Sequence, residues 1–134
     1  MPINSLRISG SALTAERARL DTISQNIANA QTTRGADGRA YRRRIVAFQA
    51  VPNTPEGGGG VNAAEIVESD APCPKVYNPG HPDANADGLV EMPNVNVVEE
   101  MVDMITATRA YEANVGAINA TKTIIGRAID IGRS

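Results

Sequence analysis

The stretch "PDANADGLVEMPN", residues 82–94, sets Asp83, Asn85 and Asp87 at alternate positions ahead of Gly88. Oxygen donors at positions one, three and five, with glycine at six, open an EF-hand calcium loop. The twelfth position of such a loop needs a glutamate that grips calcium with both oxygens; Asn94 stands there and offers one neutral carbonyl. An EF-hand also needs an entering helix. Just upstream, "APCPKVYNPGHP" carries prolines at 72, 74, 79 and 82, which no helix survives. An Asx- and Gly-rich turn between two strands accounts for the same residues without a metal.

The remaining reactive side chains are few. Cys73, between Pro72 and Pro74, is the single cysteine, and His81 the single histidine. No internal disulfide can form, and a zinc site of four such ligands cannot be assembled. A Cys–His catalytic pair would have both members in one Pro-rich loop with no scaffold to orient them, so two solvated loop residues are the simpler reading. No catalytic group, metal or cofactor is expected. A calcium-dependent regulator and a small cysteine enzyme remain as rival function classes, separable by calcium calorimetry and by alkylation of Cys73.

Composition narrows the classes further. A chain of 134 residues with net charge -2 fits one domain and has no global field to recruit nucleic acid or an anionic membrane. Arg39, Arg42, Arg43 and Arg44 form a basic run with Tyr41 as the only aromatic neighbour. It reads as a solvated strand edge, or as a salt-bridging surface toward a neighbour, rather than as a nucleic-acid patch. With three tyrosines, one phenylalanine and no tryptophan, the chain lacks the large rings that usually anchor a compact enzyme core. No stretch reaches the length of a membrane span. The N-terminus shows no cleavable signal pattern, which by itself points to the cytoplasm.

The elements that must position these residues follow from the breakers. Every proline except Pro2 lies between positions 52 and 93, and seven of the twelve glycines lie between 35 and 80. The ends of the chain are free to be long helices and the middle is not. The first helix is predicted from about Ser5 to Ala30. Leu6, Leu13, Leu20 and Ile27 recur every seven residues, and Ile23 and Ala30 widen the stripe. Gly10 weakens it by about 1 kcal/mol relative to alanine.

The last helix is the plainest element. Asn96 reads as its N-cap, with Glu99 as the reaching partner of a capping box. Glu99, Glu100 and Asp103 sit near the positive end of the helix dipole, Arg127 and Arg133 near the negative end. A rod of roughly 54 Å is too long for the core of a compact monomer. Met104, Tyr111, Ile118 and Ile125 repeat every seven residues, joined by Met101, Val115 and Ile129. Ala113, Gly116, Ala117 and Ala120 fall roughly opposite. The first helix can cover one side; the other is either packed against a second molecule or an alanine-rich solvated face, and the first reading is preferred. In between, "YRRRIVAFQAV", "VNAAEIVES", "KVY" and "LVEM" are predicted strands, with "PNTPEGGGG" as a flexible connector or hairpin tip. The expected fold class is α+β. Residues 1–31 and 95–134 form two long helices paired as a coiled-coil-like bundle, around a small β-rich domain at 32–94.

The motifs "SGSAL" (9–13), "ISQNIANAQTT" (23–33) and "MPNVNVVEEMVDMITATRAYEANV" (92–115) closely resemble the rod, hook and hook-associated axial proteins of the bacterial flagellum. That family carries Ser-Gly-Leu, then Ile-Ser-Asn-Asn-Ile-Ala-Asn, and near its C-terminus Asn-Val-Asp-Leu-Val-x-Glu-Met-x-x-Met-Ile-x-x-x-Arg-x-Tyr-x-x-Asn. Asn94, Val95, Val98, Glu100, Met101, Met104, Ile105, Arg109, Tyr111 and Asn114 match the latter, and Asn26 and Asn29 stand in the former, with Gln25 where Asn is commoner. The insert "TTRGADGRAYRR" (32–43) and the segment "VYNPGHPDANADGLVEMPNVNV" (76–97) resemble the proximal-rod branch. The resemblance gives the 83–94 loop no calcium role.

The resemblance implies a structural subunit of the rod that spans the periplasm as a helical drive shaft, transmitting motor torque. It implies export by the flagellar type III apparatus without a cleaved signal, no membrane insertion, and polymerisation with other rod proteins and copies of itself. The packing residues would be the two seams with Asn26, Asn29, Ile105, Arg109 and Asn114, and Ala117 on the small-residue face.

Overall fold

The computed structural model describes residues 2–54 and 58–133. Two helices dominate it: α1, Pro2–Ala28, and α2, Val97–Arg133. At about 1.5 Å per residue they are roughly 40 and 55 Å long. They pack against each other over much of their length. A hydrogen bond from Asn26 in the last turn of α1 to Glu100 in the first turn of α2 fixes that packing as antiparallel. α1 is shorter, so the last turns of α2, with Ile129 and Ile131 exposed, run on past its start.

Between the helices lie two antiparallel two-stranded ribbons rather than one sheet. β1 (Arg44–Val51) pairs with β2 (Gly60–Glu68), from Arg44 opposite Glu68 to Val51 opposite Gly60, with a bulge at Ala47/Phe48. β3 (Lys75–Tyr77) pairs with β4 (Leu89–Glu91). The fold is α+β, as the breaker distribution requires. The tip "PNTPEGGGG" joins β1 to β2, and its residues 55–57 lie outside the described residues.

The β1–β2 hairpin lies along α1. At its far end Ser11 Oγ donates to the Ile8 carbonyl at 2.7 Å and accepts from the Val61 N–H at 3.0 Å. Arg7 donates to the Gly58 carbonyl. Gly60 (φ +122°) is obligatory: a Cβ there would overlap Ser11 Oγ, and L side chains rarely adopt that φ. The "SGSAL" motif thus acts through its second serine, while Gly10 faces open space.

The β3–β4 connection uses the residues that imitate a calcium loop. Asn85 Oδ1 accepts from the Asp87 and Leu89 amides at 3.0 and 2.9 Å, an Asx turn. The Asp83 carboxylate accepts from Thr33 Oγ1 at 2.7 Å and pairs with Arg34 at 2.9 Å. Gly88 (φ +76°) closes the turn, and a Cβ there would lie 2.9 Å from the Tyr77 ring.

The apolar core is thin. Among the described residues only Ala15, Ile23, Ala40, Val90 and Ala107 are buried hydrophobics. The largest fully buried side chains include two polar ones, Glu100 and Asn26.

Candidate functional site

The buried centre of the molecule is a hydrogen-bonded node joining three segments. Asn26, on the inner face of α1 beside Ile23, is 1 % exposed. Its Nδ2 donates to the Arg44 carbonyl at 2.8 Å and to Glu100 Oε2 at 3.1 Å. Its Oδ1 accepts from the Arg44 amide at 2.9 Å and from Tyr41 Oη at 2.8 Å. Two donors and two lone pairs are the full capacity of an asparagine amide, and all are used.

Glu100 is 0 % exposed. Its other oxygen accepts from Arg43 Nε, and Arg43 Nη2 reaches Asp103 at 3.1 Å. The Arg43 backbone amide donates to Asn94 Oδ1 at 2.7 Å. Asn94 in turn donates to the Ser69 and Ala71 carbonyls at 3.4 and 2.9 Å. The hydrogen bond from Arg43 to Glu100 raises the guanidinium pKa above its usual value, against the opposing effect of burial. Burial chiefly raises the Tyr41 pKa above 10.0.

The basic run is therefore not one solvated edge. Arg43 turns inward to the carboxylates of α2. Arg42 donates to the Ser69 and Ala71 carbonyls, and exposed Arg44 lies over the Tyr41 ring at 5.6 Å. The physical reason is Glu100, which lies on the inner face of α2 and needs a cation once buried. The capping box is also only half formed. Asn96 Oδ1 accepts from the Val98 and Glu99 amides at 3.1 and 3.4 Å, but the Glu99 side chain stays exposed.

The seam residues divide between the two faces of α2. Met104, Tyr111, Asn114, Val115, Ile118 and Ile125 are half-buried, and Ala107 between them is buried. Leu6, Leu13, Leu20 and Ile27 of α1 are half-buried and Ile23 buried. Asn29 does not share the node of Asn26; it bonds the Gln25 carbonyl at 2.8 Å and accepts from Thr32 at the end of α1. Met101, expected in the bulky seam, is 52 % exposed, because at about 100° per residue it stands some 60° round from Met104. It joins Val98, Val102 and Ile105 in an exposed apolar stripe. Arg109, Ala113, Gly116, Ala117 and Ala120 continue that outer face, all exposed.

Sequence reasoning missed Arg43 and the depth of Asn26 and Glu100. The available signal was register: Glu100 stands seven residues before Ala107 and four before Met104, in line with the inner stripe.

Among the described residues no group of histidine, cysteine and acidic side chains has the arrangement of a metal site, and no helix is long and apolar enough to cross a membrane. The clefts among the described residues are open to solvent; one of about 450 Å³ is lined by Gln25, Asn29, Tyr41, Arg42, Arg44 and neighbours. What the geometry offers is packing, through an interlocked helix pair with one apolar face uncovered.

Comparison with known proteins agrees. The family described as flagella basal body rod protein matches residues 6–36, and that described as flagellar basal body rod FlgEFG protein C-terminal matches residues 86–131. The chain is 42% identical to flagellar basal-body rod protein FlgC of Bacillus subtilis, with 97% of each chain covered. It is 44% identical to FlgC of Escherichia coli O157:H7, with 98% of each covered. To FlgC of Aquifex aeolicus it is 41% identical over 95% of this chain and 94% of the relative.

Proposed function

The chain belongs to the family of flagellar basal-body rod proteins, and we propose that it builds the proximal rod by packing the outer face of α2 against neighbouring subunits. It is a structural subunit of the flagellar basal body and not an enzyme. Its place in the rod makes it part of the shaft that carries motor torque. Its neighbours are other rod proteins and further copies of itself, which it joins after export through the flagellar type III apparatus. Residues 1–31 and 95–134 serve as the axial helices, and 32–94 as the outer domain.

One observation carries the assembly reading. Val98, Met101, Val102 and Ile105 are each more than half exposed on one side of α2, and the small residues Ala113, Gly116, Ala117 and Ala120 extend that side. Large apolar side chains grouped this way mark an interaction site, and small residues let a neighbouring backbone approach closely. Leu6, Leu13, Leu20, Tyr111, Ile118 and Ile125 hold the pair together from within, and Arg109 lies on the outer side where a partner would meet it.

The test is a photoreactive residue placed, one position at a time, at Ile105, Ala113, Ala117 and Ala107. Intersubunit adducts from purified basal bodies at position 117, and none at buried position 107, are the expected result. The absence of adducts at 117, 113 and 105 alike would overturn the packing assignment.

A further inference from the structure

Arg109 stands at the middle of the outer face of α2. It is exposed and makes no hydrogen bond or ion pair among the described residues. At about 100° per residue, Val98, Val102, Ile105, Ala113, Gly116 and Ala120 all fall within about 40° of it. A neighbour that covers this stripe therefore covers Arg109 as well. A covered guanidinium needs a carboxylate, because a buried charge without its partner is strongly destabilising. The partner must offer a face of small or apolar residues with an acid set in it.

The outer face of α1 meets that description. Thr14, Arg17, Asp21, Ser24 and Ala28 are exposed at helical spacing. Asp21 and Arg17, like Glu112 beside Arg109, have no hydrogen bond or ion pair among the described residues. A helical shaft grows through heterologous contacts, in which two different faces meet. Copies that point the same way along it set α1 of one antiparallel to α2 of the next. Arg109 and Glu112, about 4.5 Å apart along α2, then meet Asp21 and Arg17, about 6 Å apart along α1, each beside its opposite charge. The same register sets Gly116 opposite Thr14 and Ala120 opposite Gly10. A Cβ on either glycine would meet nothing within 4 Å, so both are open to close approach.

We infer that the outer face of α2 receives the outer face of α1 from a second copy of the chain, in the register that pairs Arg109 with Asp21 and Glu112 with Arg17. The inference rests on the assembly reading above and adds the partner and the register.

Cells carrying Arg109→Glu, Asp21→Arg or both in place of the parent chain are compared for assembled basal bodies by electron microscopy. Each single change sets like charges face to face and should cut their number by about tenfold or more. The double change restores opposite charges across the contact and should recover most of that loss. The contact itself is read on purified basal bodies in which two Cys73→Ser chains are coexpressed, one with Ser24→Cys and the other with Ile105→Cys, positions that face each other in this register. A short bifunctional maleimide should join the two copies, and should join none when either cysteine is missing. Single variants that assemble normally, a double variant no better than the singles, no joined copies, or Ile105→Cys joined to a different protein would each overturn the inference. Photoreactive positions 105, 113 and 117 separate the two levels of failure. Adducts there with the charge exchange failing leave the stripe packed on another neighbour, whereas no adducts remove the assembly reading and this inference together.

Discussion

Asn26 and Asn29 occupy equivalent-looking places in "QNIAN", and the structure assigns them unequal weight. Asn26→Ala removes four hydrogen bonds at a 1 % exposed site. Glu100 Oε2 is then left without a donor in a fully buried place, at a cost of about 1–3 kcal/mol. The three bonds to Tyr41 and Arg44 lie nearer solvent, where water can replace the lost partner, so each is worth about 0.5–1.5 kcal/mol. The sum is about 2.5–7.5 kcal/mol, a large share of the 5–15 kcal/mol typical of a folded domain. Asn29→Ala loses a bond to the Gln25 carbonyl and one from Thr32 at a half-buried helix end, and should cost about 1 kcal/mol or less. Urea unfolding of the two variants against the parent chain is the assay. With slopes of about 1–3 kcal/mol per molar, the Asn26 midpoint should fall by more than about 1 M and the Asn29 midpoint by a small fraction of that. Equal losses for the two asparagines would refute the description of the node as the organising centre.

Three further outcomes are expected. Ala117→Leu should leave monomer stability within about 0.5 kcal/mol, as for other surface changes, yet block rod assembly, because overpacking a close contact costs about 1–3 kcal/mol at every subunit; normal basal bodies by electron microscopy would contradict this. Gly60→Ala combines an unfavourable φ with overlap on Ser11 Oγ and should destabilise by about 1–3 kcal/mol, measured by thermal melting. Tyr41 has a native pKa raised above 10.0 by burial, so its neutral form favours the fold. That contribution is complete below the unfolded value and is lost as pH rises through the native one. One of the three tyrosines should ionise late in an absorbance titration, and Tyr41→Phe should remove that late step.

The helices and strands were legible because their signals are local and periodic. A seven-residue recurrence of Leu6, Leu13, Leu20 and Ile27 can be satisfied only by a helix with one covered side. The confinement of proline and glycine to the middle left the strands nowhere else to go. The Asx turn at Asn85 was legible for the same reason, since its partners are two and four residues away. The node was not legible, because its bonds span 15 to 74 positions and its members are residue types that normally face water. Glu100 was assigned to the helix dipole, a role any acid in the first turn can fill; its register on the inner stripe carried the extra information. Arg43 was hidden within a run of three arginines that differ only in where the backbone turns them.

The two faces of α2 solve different problems with the same helix. The inner face gains burial within one chain, through Met104, Ala107, Tyr111 and Ile118 against α1. The outer face gains nothing there: Met101 at 52 %, Ile105 at 55 % and Ile124 at 63 % exposure contribute little to the stability of a single chain, where charged residues would serve solubility better. At about 25 cal/mol per Å² of apolar surface, their value on the proposed assembly comes when a neighbouring subunit covers them. Such an interface is useful only if its geometry is fixed before the partner arrives, since flexibility lost on association weakens it. The seam of half-buried apolar side chains fixes the register less sharply, because apolar burial is non-directional and hydrogen bonds are not. A saturated asparagine, a buried carboxylate and one arginine fix it more sharply, because any slip of α1 against α2 strands a charge. On the proposed assembly, the polar centre at Asn26 and Glu100 sets the register in which α2 presents its outer stripe.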